Sequence, residues 1–202
     1  MTTDVRQTNI KLNTRAMTMT GMLAAVASVL MFVEFPLPIF PSFVKLDFSD
    51  LPALIAAFAL GPIAGFAVEL VKNLVHLTQT QTGGIGELAN FLVGCALVVP
   101  AGYIYQTRKT RKSALLGMGV GAITMAAVGA LANYFILIPF FTAFMPLDAI
   151  ISMCAAIIPT IDSLETMILL SIVPFNLLKA AVVSGVTYLV YKRLSRFIQG
   201  NH

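Results

Sequence analysis

The run from Thr166 to Tyr191 is apolar and carries a single charge, Lys179. A stretch of that length is stable as a helix in hydrocarbon, where each backbone polar group must find its partner inside the segment. An ammonium there costs about 2.5–3.5 kcal/mol on insertion scales, so it faces a partner, a cavity or a ligand. Asn176 precedes Lys179 by three positions, which puts both on one helix face. Pro174 removes a backbone N–H just ahead of them. The face reads as a polar site inside a bundle of membrane helices.

Further apolar stretches predict an all-α membrane protein. They place helices at about 16–34, 50–60, 63–78, 85–106 and 113–138, with the last at 166–192. With 58% hydrophobic and 11% charged residues and a mean hydropathy of +0.88, the chain 1–202 is expected to be one integral membrane domain. A cleavable signal peptide is not expected, because the first apolar run is too long for one. Glu34 and the prolines at 36, 38 and 41 should end the first helix and make 35–49 a rigid loop. Ser49 or Asp50 can cap the second helix, whose ~16 Å length falls short of a ~30 Å hydrocarbon core. Either loop residues extend that helix or Gly61-Pro62 turns within the bundle. Pro139 is expected to end the fifth helix, and residues 149–158 to form a short surface or lid helix.

The charges give an orientation. Of the 13 Lys and Arg, all but Lys45, Lys72 and Lys179 lie in the N-terminal arm (Arg6, Lys11, Arg15), the 108–112 loop or the C-terminal tail (Lys192, Arg193, Arg196). Six passes put these three regions on one side, which the positive-inside rule makes cytoplasmic. Glu34, Asp47, Asp50, Glu87, Asp148, Asp162 and Glu165 fall at or near the other side. The basic groups are thus membrane anchors, and nucleic-acid binding is excluded. A phosphate-binding loop, a zinc-protease motif and a Ser/His/Asp set are all absent, so no enzyme, cofactor or metal is expected. Cys95 and Cys154 read as packing residues.

The polar groups within apolar runs are Asn90, Asn133, Asn176 and Lys179, with a stripe of Glu69, Lys72, Asn73 and His76 on the third helix. Asn133 and Asn176 can open together towards the outside, and a carboxamide suits the imide edge of a planar heterocycle. Phe35, Phe40, Phe43, Phe48 and Phe135 could supply apolar walls. Carboxylates on the outer face disfavour an anionic ligand. Small residues line the first helix (Gly21, Ala24, Ala25, Ser28) and the fifth (Gly117, Gly121, Gly129). Such patterns allow close helix approach, either within the bundle or, for Gly21 and Ala25, against another membrane protein.

With these residues in view, the chain resembles the substrate-binding S components of energy-coupling factor (ECF) vitamin transporters, and among them the riboflavin transporters. The segments that carry the resemblance are 44–54, Gly61-Pro62, 69–73, Asn133 and the Asn176-x-x-Lys179 set. It implies a riboflavin site near the outer surface, closed by the loop after the first helix, with Leu46, Asp47, Asn133, Asn176 and Lys179 on the flavin. It implies an energising module of two cytoplasmic ATPases and a transmembrane coupling subunit as partner, in a bacterial plasma membrane. Gly21 and Ala25 are similar to the alanine-x-x-x-alanine docking motif of these subunits, with glycine at its first position. The expectation is a binding subunit that captures riboflavin from outside for ATP-driven import. The alternatives are an S component for another vitamin, or a gradient-driven carrier with Glu69, Lys72 and Lys179 as an ion relay.

Overall fold

The helix Asp50–Ala59 (α2) sits at the centre, in contact with four other helices. Its apolar residues from Pro52 to Phe58 are all buried, as a helix that is hydrophobic all round must be. The computed structural model describes residues 14–41 and 43–199. The arm with Arg6 and Lys11, the side chains of Lys192, Arg193 and Arg196, and His202 lie outside the described residues.

Around α2 pack α1 (Thr14–Met31), α3 (Pro62–His76), α4 (Ile85–Arg108) and α7 (164–199), with α5 (Arg111–Thr142) bridging α4 and α7. A short α6 (Leu147–Ala155) lies between α5 and α7. Strands β1 (Phe35–Pro36) and β2 (Lys45–Leu46) pair antiparallel and pin the loop after α1, with Phe35 opposite Leu46. The Glu34–Lys45 ion pair closes the base of this hairpin. Among the described residues, α1, α4, α5 and the 164–190 part of α7 are long and apolar enough to cross a membrane.

The short second helix resolves as a turn inside the bundle. Gly61 takes φ 117°, a conformation open to glycine, and Pro62 starts α3 where its missing N–H is harmless. Gly65 and Gly102 then bring α3 and α4 so close to α2 that an added Cβ would lie 2.8 Å from the Ala57 side chain. Ser49 does not cap α2 through its side chain. Its hydroxyl donates to Asp47 instead.

One expected break is absent, and a second proline is accommodated in the same way. Pro139 does not end α5, which runs on to Thr142, and Pro174 lies well inside α7. Each proline sits two residues beyond a π-turn, Asn133–Leu137 in α5 and Ile168–Ile172 in α7. The extra residue in a π-turn widens the helix just where a prolyl ring would strike the carbonyl four positions back. The basic loop at 108–112 also shrinks. Lys109, in the left-handed conformation, ends α4, and Thr110 caps α5 by accepting from the Ser113 N–H. At the other end, α1 stops at Met31 rather than running to Glu34.

The glycines of α5 serve packing. A Cβ on Gly117 would lie 2.7 Å from the Ala101 carbonyl oxygen, and one on Gly121 2.5 Å from that of Leu97. On α1 the expected single face divides into two. Ala24 and Ser28 are buried, whereas Gly21 and Ala25 point outward, with open space beyond Gly21.

A candidate ligand cavity and the ion cluster beside it

The ends of α1, α3 and α5 meet the starts of α4 and α7 around a cavity of about 490 Å³, with Glu34, Phe43, Val44, Lys45 and Asp47 of the loop after α1 in its lining. That volume lies in the ordinary range for small-molecule sites. The cavity occupies the end of the bundle away from the Lys109 turn, because α4 contributes its first residues and α5 its last.

One pole of the cavity is built by the two π-turn helices. Asn133 lies within the α5 π-turn, and Asn176 lies one turn beyond the one in α7. Each donates its carboxamide N–H to its own helix, Asn133 to the Gly129 carbonyl (2.8 Å) and Asn176 to that of Ile172 (2.9 Å). Their rotamers are thereby held, and among the described residues neither carboxamide oxygen accepts a bond from the protein. Gly129 makes room for this arrangement, since a Cβ there would lie 2.5 Å from Asn176 Nδ2. Phe43, Leu137, Phe141, Ile172 and Phe175 wall this pole. Of the phenylalanines expected as walls, Phe43 takes that role. Phe135 is 67% exposed, Phe40 packs edge-on against Phe175, and Phe35 and Phe48 pair with each other outside the cavity.

Another part of the lining is polar. Glu87 accepts from Thr80 Oγ1 (2.9 Å) and meets His76 Nδ1 at 3.0 Å, while Phe32 stacks on the His76 ring. Asn90 donates to Asn73 Oδ1 (3.2 Å) and presents its other side to the cavity.

Asp47, Asn133, Asn176 and Lys179 all line the cavity, so the fold brings together four of the five residues expected at the ligand. Leu46 does not line it. It is buried behind the wall with Phe40 and Phe175. The Glu87 pole was not singled out from sequence. The signal available there was a carboxylate one helical turn before Asn90, at the start of a helix with no further charge before Arg108.

Lys179 is paired rather than free. Its ammonium donates to Asp47 Oδ2 (2.8 Å) and lies 3.1 Å from Asp50 Oδ2. Lys72 bridges Asp50 and Glu69, at 2.8 Å from Glu69 Oε2, and donates to Ser49 Oγ at 2.8 Å. The residues expected as an ion relay thus form a buried cluster tying the 47–50 segment to α3 and α7. Charges so deeply buried persist only when paired in this way. Burial pushes the Asp47 carboxyl up, but the ammonium groups of Lys179 and Lys72 together hold it below the usual carboxylate range.

The family profile described as "ECF transporter, substrate-specific component" matches residues 15–191. A riboflavin transporter of Staphylococcus aureus (strain TCH60) is 37% identical over 194 residues, covering 96% of this chain and 97% of that protein. One from Bacillus subtilis (strain 168) is 31% identical, covering 89% and 91%. A solved structure described as the S component of a bacterial ECF transporter superposes with a TM-score of 0.73 at 35% identity, covering 93% of this chain and 99% of that one. The chain therefore belongs to the substrate-specific components of ECF transporters, as a multi-pass protein of the bacterial cell membrane.

Proposed function

We propose that this chain is the riboflavin-binding subunit of an ECF transporter, capturing the vitamin from outside the cell. The observation that carries the reading is the pair of held carboxamides, Asn133 and Asn176, facing a 490 Å³ cavity between apolar walls. A carboxamide with a free acceptor pairs with an imide N–H, and Phe43, Phe141 and Phe175 suit a flat heterocycle. The riboflavin transporters at 37% and 31% identity support the choice of ligand.

In this reading the bundle makes six passes. The joined α2–α3 pair supplies two of them, covered by protein where the backbone turns. Arg108, Lys109, Arg111 and Lys112 mark the cytoplasmic side with both termini, so the cavity opens outward. The ligand is released when an ATP-driven module, two cytoplasmic ATPases and a transmembrane coupling subunit, engages the exposed Gly21–Ala25 face of α1. The subunit performs no covalent chemistry. Asp47 and Lys179 serve the site by holding the loop against α7.

The test is a titration of riboflavin with detergent-purified protein, followed by flavin emission because the chain has no tryptophan to report binding. Saturable quenching at nanomolar concentrations is expected. No quenching by folded protein would remove riboflavin as the ligand. Uptake by cells carrying this chain alone, abolished by a protonophore while ATP is maintained, would favour a gradient-driven carrier instead.

A further inference from the structure

The carboxylates in the cavity wall differ in their partners. Glu34 is paired with Lys45, and Asp47 with Lys179. Glu87 has no lysine or arginine partner among the described residues. Its oxygens meet the His76 ring and the hydroxyls of Thr80 and Thr82. The three neighbours come from α3 and the 77–84 turn, so the carboxylate is held in place without being neutralised by a fixed cation. Nearby, Asn90 has committed its N–H to Asn73 and offers an oxygen. This part of the lining therefore presents acceptors and negative charge.

From this arrangement we infer that Glu87 is a selectivity-determining residue. It accepts hydrogen bonds from the hydroxyls of the flavin's ribityl chain and turns away a flavin whose chain ends in a phosphate. The inference rests on the riboflavin reading and adds an orientation, ring towards Asn133 and Asn176, chain towards Glu87. Hydroxyl donors to a carboxylate make charge-assisted bonds, which are stronger than neutral ones. A phosphate monoester offers acceptors and nearly two negative charges to the same place, so it meets repulsion in a partly desolvated site. Terminal phosphate and terminal hydroxyl thus differ most where the carboxylate lacks a cation.

The experiment compares riboflavin, flavin mononucleotide and lumiflavin, which has no ribityl chain, on wild type and Glu87→Gln by fluorescence titration. The wild type should prefer riboflavin to the mononucleotide at least tenfold. Glu87→Gln should narrow that ratio at least fivefold, leave lumiflavin unchanged and weaken riboflavin less than about tenfold. The wild-type ratio should also shrink between 0.1 and 1 M salt, because the Debye length falls from about 10 to 3 Å. That arm serves even if the variant does not fold. An unchanged ratio in the variant, an equal loss for all three flavins, or a wild-type ratio independent of salt overturns the inference while riboflavin binding stands. No flavin binding by the wild type overturns the riboflavin reading and this inference together.

Discussion

Lys179 on α7 donates to Asp47 Oδ2 at 2.8 Å, a contact between residues 132 positions apart in the chain. It fastens the loop after α1 to the helix that carries Asn176. Removing the lysine leaves Asp47 facing no cation at hydrogen-bond distance, and breaking a buried pair from one side typically costs about 3–5 kcal/mol. Lys179→Ala should therefore lower the detergent-state melting temperature strongly, and Asp47→Asn in the same chain should recover part of the loss. Additive effects of the two changes in thermal unfolding would rule out the pairing as a source of stability.

The same pair gives an acid limit. The Asp47 carboxyl titrates below its unfolded value because Lys179 and Lys72 together outweigh the effect of burial. Its contribution to stability is thus complete above about pH 4, the ordinary aspartate range, and is lost as pH falls through the depressed folded value. Unfolding followed from pH 7 to pH 3 should show wild type losing stability at the acid end more steeply than Asp47→Asn. Parallel curves would remove Asp47 from the acid transition.

Gly129 and Asn176 form a second relationship with a measurable consequence. A Cβ at 129 would press on the Asn176 carboxamide at 2.5 Å, the far end of that side chain. Gly129→Ala should turn the carboxamide and weaken ligand binding about tenfold or more, or about 1.4 kcal/mol, with little change in melting temperature. In an Asn176→Ala background the same change should add almost nothing. Full additivity in a double-mutant binding cycle would mean that Gly129 acts by another route.

Gly94 faces Glu69 as Gly129 faces Asn176, but here the neighbour cannot move. A Cβ at 94 would lie 2.2 Å from Glu69 Oε2, and Glu69 is fully buried and held by Lys72. Gly94→Ala should destabilise the protein by about 1–3 kcal/mol through overpacking. A melting temperature equal to wild type would show that α4 shifts away at no cost.

Gly21 and Ala25 are exposed on α1 while their neighbours Ala24 and Ser28 are buried. Gly21→Leu and Ala25→Leu should leave ligand affinity unchanged and abolish uptake in cells that supply the energising module. Normal uptake by either variant would show that this face is not where the module docks.

The sequence alone makes legible the long apolar helices, the break at Gly61-Pro62, the polar stripe of α3 and the shared face of Asn176 and Lys179. These follow from local properties: run length against the hydrocarbon thickness, periodicity, and the missing N–H of proline. It also pointed to Asn133, whose carboxamide stands out in an apolar run. What Lys179 touches is set by folding, because its partners Asp47 and Asp50 are distant in the chain and nothing near Lys179 announces them. The same holds for Leu46, which alternation along β2 turns away from the cavity, and for Pro139, which a π-turn admits into α5. A π-turn has no simple residue signature, since it records how one helix fits its neighbours. The Glu87 pole arose in the same way: the 77–84 turn folds back on the start of α4 and places hydroxyls and an imidazole around a carboxylate. Local chemistry thus set which segments enter the membrane, and packing between distant segments set which of their polar groups face one another and which are left for a ligand.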